Sequence, residues 1–254
     1  MTSILEYQHR LINNGRTSPK QLIRDQNWTV KSSYAKTMNM TRSLKSRPRS
    51  AATSRGAATR HKIVEAASQL VEKHGVTGTT LDDIMAASGT SKSQIYHYFR
   101  DRDALMDAVV EAQSKAVLSF QESCLSQVRT VDDLRAWRNK IVEINHLKRG
   151  AGGCPIGSLA SELADRSESA RCALAQSFAQ WEAHIAAALE TIKREGNLSQ
   201  AADISKLAIG IVAALQGGLL MAQTDRTIRP LEVALDMALE HVSRQLTAPG
   251  DYLQ

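Results

Sequence analysis

The sequence predicts an all-α protein, and three observations carry that reading. Only five of its 254 residues are proline. No stretch alternates apolar and polar residues as a half-buried strand would, whereas apolar residues recur at helical spacing between glycines and capping residues. Aromatics make up 4% of the chain, so the core must be built mainly from aliphatic side chains and alanine. A chain of this length can enclose one large core or two small ones.

Residues 1–58 show no sustained period and are rich in Ser, Thr, Asn, Arg and Lys. They are expected to form a basic, disordered extension. Residues 1–60 hold 12 Lys/Arg against 2 Asp/Glu, and residues 61–254 hold 20 against 24, so a net +10 precedes a net −4. A basic end beside an acidic body suggests a polyanionic partner at that end. The same Arg- and Ser-rich composition is found in organellar transit peptides. Alternatively, a start at Met38 or Met40 would leave a short basic arm over residues 41–47, able to follow phosphates or enter a minor groove.

Residues 59–75 carry Ile63, Ala66, Ala67, Leu70 and Val71 at helical spacing and stop at Gly75. Two further helix starts follow close together. Thr80 with Asp83 and Ser91 with Gln94 each form the pattern in which a hydroxyl caps the amide three residues on. Gly89 supplies the turn between them, because glycine accepts a positive φ without steric penalty. Leu81, Ile84 and Met85 face inward on the first of these helices, and Ile95 and Phe99 on the second. Lys92, Ser93, Gln94, Tyr96, His97 and Tyr98 are left outward, a set able to donate to phosphates and base edges. The spacing therefore predicts a helix-turn-helix unit over residues 59–105, with Asp101 capping a fourth helix that runs to about Gln127.

Thr130 with Asp133 opens a helix through about Leu147, with Leu134, Trp137, Ile141 and Ile144 on its buried face. Residues 150–163 break the pattern with glycines and restart it at Cys154-Pro155, a proline suited to a first helical turn. A long helix over residues 167–195 turns Ala173, Leu174, Phe178, Trp181, Ile185, Ala188, Leu189 and Ile192 inward, and Gly196 ends it. The last two helices span residues 203–224 and 230–246. The first is apolar nearly all round and carries Gly210, Gly217 and Gly218. The second lines up Leu231, Leu235, Ala238, Val242 and Leu246. The longest apolar run, residues 207–222, has 16 residues with Gln216 inside it, short of a membrane span. Cys124, Cys154 and Cys172 lack metal-ligand spacing, and no secretory signal precedes them, so reduced thiols in a cytoplasm are expected.

Ile63-Val64-Glu65-Ala66-Ala67, Gly75, the run from Thr79 to Ile84, Ala87-Ser88-Gly89, Ser91-Lys92, Ile95-Tyr96-His97-Tyr98-Phe99 and Arg102-Asp103-Ala104-Leu105 resemble, in order and spacing, the DNA-binding domain of the TetR family of bacterial regulators. Ser93 stands where the family usually has Gly or Ala, and Arg102 where it usually has Lys. Residues 150–163 resemble the C-terminal domain of the LmrA/YxaF-like subgroup, in which a Gly-Cys-Pro-x-Gly-x-Leu-Ala-x-Glu-Leu segment opens a helix beside an effector cavity.

The resemblance implies that the three-helix N-terminal domain is joined to a larger helical ligand-binding and dimerisation domain over residues 106–248. It implies a homodimer through the last two helices, an operator in double-stranded DNA and a small-molecule effector, with no cofactor and no membrane. Thr80, Ser91, Lys92, Ser93, Gln94, Tyr96, His97 and Arg102 are the candidate DNA contacts. Trp137, Cys154, Phe178, Trp181 and Gln216 are the candidate effector contacts, although Trp137 and Cys154 also suit core packing. At a helix N-terminus the Cys154 thiolate would be favoured, which adds a redox- or electrophile-sensing alternative. An enzyme built on Cys154 with His146 or His184 finds no supporting motif. A DNA binder without a ligand is the remaining alternative.

Overall fold

The computed structural model describes residues 51–246, and among these it contains helices joined by short turns and no strand. The expected extension falls outside the described residues up to residue 50. Its last eight positions do not, and they are helical: α1 runs Ala51–His74, starting before the expected residue 59. Alanine at its start favours helix, but the apolar stripe begins only at Ile63, so periodicity could not reveal the earlier turns.

Two short helices follow, α2 (Leu81–Ser88) and α3 (Lys92–Tyr98), each opened by the expected capping box, Thr80 with Asp83 and Ser91 with Gln94. The Thr80 hydroxyl and then its amide hold the Asp83 carboxyl below the usual carboxylate range. Gly89 ends α2 at φ 60°. Asp101 caps α4 (Arg102–Leu125), which stops two residues short of the expected end. Ile63, Ala67, Ile84, Ile95, Phe99 and Leu105 are buried, so α1 to α3 close over the start of α4.

The larger part consists of α5 (Val131–Leu147), α6 (Pro155–Leu163), α7 (Glu168–Arg194), α8 (Ile204–Asp225) and α9 (Arg229–Ser243). The Thr130–Asp133 box opens α5, and Pro155 and Pro230 sit in the first turns of α6 and α9. Three expected inward positions shift. On α5 the buried stripe continues through Asn145, whose Nδ2 donates to the Ile141 carbonyl at 2.8 Å, and Ile144 is only half-buried. Ala173 is exposed because the buried face of α7 runs through Ala170, Leu174, Ser177 and Trp181. Leu246 lies beyond the end of α9 and is exposed.

α7 packs between α4 and α8, and α8 pairs most extensively with α9. Gly218 permits that pairing: a Cβ there would lie 2.8 Å from Leu231 Cα. Arg138 ties α5 to α9 through Asp236 Oδ2 at 2.7 Å. With 22 residues, α8 is long and apolar enough to cross a membrane by length and composition, contrary to the expectation from its longest apolar run. In the fold one side of it is buried, through Leu207, Ile211, Leu215 and Leu219.

Candidate nucleic-acid interface and effector site

The outward surface of α3 follows from how the helix is pinned. Ile95 and Phe99 are each at most 3% exposed, and their burial leaves Ser91, Lys92, Ser93, Gln94, Tyr96 and His97 facing solvent. Tyr98 is half-buried against the core, so it does not join them. Gln94 has two tasks. Its Oε1 accepts the Ser91 amide at 2.8 Å in the capping box, which leaves the Nε2 amide as the group able to meet a base edge.

Two candidates lie outside α3 and its cap. Thr80 is exposed at the start of α2, where its hydroxyl donates to Asp83 Oδ2 at 2.6 Å. The Arg102 guanidinium Nη2 donates to the carbonyls of Val76 at 2.6 Å and Thr79 at 3.2 Å. That fixes the turn between α1 and α2, so Arg102 serves the interface first by holding its scaffold.

The five effector candidates separate into groups. Cys154 and Gln216 meet, with Gln216 Nε2 donating to Cys154 Sγ at 3.4 Å across 62 residues of sequence. Cys154 is 6% exposed and provides no side-chain cap to α6. Burial pushes its thiol up, outweighing the opposing pulls of the Gly157 amide, the Gln216 amide and the Ile156 amide. The expected thiolate preference at this helix start is therefore reversed, because the thiol is buried in the core.

Phe178 is half-buried against the core, and Trp181 is 2% exposed with its indole N–H unpartnered. Trp137 is joined instead to α4: its Nε1 donates to the buried Gln121 Oε1 at 2.9 Å. Gln121 carried no periodic or motif signal that would have singled it out.

Exposure therefore counts against Cys154 as the reactive thiol. Cys172 is exposed in the first turns of α7, Cys124 is half-buried and Cys154 is buried. Limited alkylation followed by mass-spectrometric mapping should label Cys172 first and Cys154 last, since accessible thiols react first.

A second exposed surface is apolar. Ile209, Leu220 and Met221 on α8 and Val233 and Met237 on α9 are all at least 40% exposed. On α8 these residues share a face with Gly210 and Gly217, where an added Cβ would meet nothing within 4 Å. In helices of this apolarity such a face requires a cover.

Comparison with known proteins agrees with this arrangement. The family model described as bacterial regulatory proteins of the tetR family matches residues 63–109. The model described as the C-terminal domain of LmrA/YxaF-like transcriptional regulators matches residues 130–237. An uncharacterised HTH-type transcriptional regulator of Lactococcus lactis, named for the lacX 3' region, is 31% identical over 190 residues, which cover 70% of this chain and 90% of that protein. YxaF of Bacillus subtilis, also an uncharacterised HTH-type regulator, is 28% identical over 181 residues, covering 70% and 92%. The crystal structure of a TetR transcriptional regulator from Chloroflexus aurantiacus superimposes with a TM-score of 0.66 at 26% identity, over 76% of this chain and 98% of that one. The chain belongs to the TetR family of bacterial DNA-binding transcriptional regulators, and its C-terminal domain is of the LmrA/YxaF-like type.

Proposed function

We propose that the protein is a homodimeric repressor, acting in the cytoplasm, that leaves a near-palindromic operator when a small, mostly apolar molecule occupies the second domain. The family acts by binding and not by catalysis. The observation that carries the reading is α3: Ile95 and Phe99 anchor it while Ser91 to Gln94, Tyr96 and His97 stay exposed together. Lys92, Ser93 and Gln94 at its start read bases, and Thr80, Ser91, Tyr96 and His97 hold phosphates. Residues 59–105 form the reading unit and residues 106–248 the effector and dimer unit. The exposed apolar face of α8 and α9 supports pairing with a second copy, because one recognition helix covers too few base pairs for a specific site. Phe178, Trp181, Cys154 and Gln216 are the side chains assigned here to effector contact.

The test uses a duplex selected by the protein from a random pool. Gln94→Glu keeps the capping acceptor and removes the Nε2 donor, so it should change the ratio of affinities for selected and random duplex by about ten- to a hundredfold. Tyr96→Phe and His97→Ala should weaken both by similar factors. An unchanged ratio in Gln94→Glu would show that α3 does not read bases.

A further inference from the structure

We infer that Glu162 is the positioning residue through which the effector site controls the DNA-reading unit. The inference rests on the release mechanism proposed above. Glu162 lies in the last turn of α6, and its carboxylate reaches the turn that ends α1. Its Oε1 and Oε2 accept the Val76 amide at 3.0 and 2.9 Å, and Oε2 accepts the Thr77 amide at 3.2 Å. Arg166, just past α6, adds a bond from Nη1 to Thr77 Oγ1 at 3.3 Å. Arg102 grips the opposite side of the same turn through the Val76 and Thr79 carbonyls. The turn joining α1 to α2 is thus held by donors and acceptors on both sides, across more than 80 residues of sequence in the case of Glu162.

Gly75 makes the grip possible. Its φ of 73° turns the next two amides outward, and a Cβ there would stand 2.9 Å from Glu162 Oε1. The other end of α6 is the candidate effector site. Cys154 is its N-cap, and Gly157 lies against the Gln216 side chain, where an added Cβ would fall 2.6 Å from its Oε1. A nine-residue helix is only about 13 Å long and stiff. A molecule that wedges between Gln216 and Cys154 bears on the first turn of α6, and the far end of that rod carries the carboxylate. The other strong connection to the reading unit is α4, which passes through both parts. With α4 as the pivot, the Glu162 grip sets the angle at which α2 and α3 are presented. Coupling of this kind through a discrete bonded contact has a magnitude of about two- to thirtyfold in binding.

The experiment substitutes a built-in wedge for the unidentified effector. Gly157→Ala displaces the flexible end of Gln216, and Glu162→Ala removes the grip. Affinity for the selected duplex is measured in the full chain, its two single variants and the double variant. Gly157→Ala should lower affinity about tenfold when Glu162 is present and less than about twofold when it is absent. Hydrogen exchange should show the Val76 and Thr77 amides losing protection in Glu162→Ala, with α7 and α8 unchanged. If Glu162→Ala does not fold, Glu162→Gln, which retains one acceptor oxygen, serves in its place. If Gly157→Ala does not fold, Gln216→Met, which removes the N–H···S bond, replaces it. An effect of the wedge that is equal with and without Glu162, zero included, overturns the inference. A rise in affinity that vanishes without Glu162 upholds the coupling and overturns the release reading instead. Failure of the wild-type chain to select any duplex would be a failure of the DNA-reading assignment itself.

Discussion

Replacing Leu220 and Met237 together by glutamate is expected to give a folded monomer whose operator affinity has fallen at least about a hundredfold. Both side chains are nearly free in the single chain, at 64% and 66% exposed, so their loss costs the fold little. In the proposed dimer they are covered by the second copy, and the introduced carboxylates would be buried without partners, a cost that dissociation avoids. A monomer retains one recognition helix and one half-site, and so loses the gain that joining two weak contacts provides. Light scattering and a titration with the selected duplex read the two consequences separately. A variant that stayed dimeric would place the interface elsewhere.

Trp181→Ala should cost about 3–5 kcal/mol of stability, the range for emptying a buried aromatic site. At about 2–4 °C per kcal/mol for a protein of this size, the melting temperature should fall by roughly ten degrees. The contrast with Trp137 sharpens the prediction. Trp181 has no partner for its indole N–H, whereas Trp137 donates to the buried Gln121. Replacement by phenylalanine removes only volume and packing at Trp181. At Trp137 it also strands the Gln121 oxygen, at about 1–3 kcal/mol. Trp137→Phe should therefore be the more damaging of the two phenylalanine variants in thermal melts, and the reverse order would mean that the Trp181 N–H has a partner in solution. An effector with a hydrogen-bond acceptor would be one such partner.

The helix starts were legible because their signals are local. Thr80 with Asp83, Ser91 with Gln94, Thr130 with Asp133, and the prolines at 155 and 230 each fix a boundary through atoms within a few residues of one another. Gly75, Gly89 and Gly196 mark stops for the same reason, each adopting a positive φ. The first turns of α1 were not legible because Ala, Thr and Ser without an apolar stripe read equally as helix or coil.

What depended on distant parts of the chain was misread or missed. Cys154 reads as an open helix terminus until the core closes over it, and burial then outweighs the helix end. Arg102 has the composition of a phosphate contact, and nothing local shows that its Nη2 also holds the α1–α2 turn. Glu162 and Gly75 stand in separate motifs, and nothing local shows that one grips the turn made by the other. Ala173 neighbours the buried Leu174, but the buried face there runs through Ala170, Leu174 and Ser177 and leaves Ala173 outside it.

Selection of duplexes from a random pool by the full chain, followed by footprinting on the enriched sequence, tests the central claim most directly. The account predicts enrichment of a near-palindrome whose two half-sites are protected by one dimer, with α3 of each copy in the major groove. Equal affinity for the pool before and after selection, or protection of a single half-site by a monomer, would contradict it.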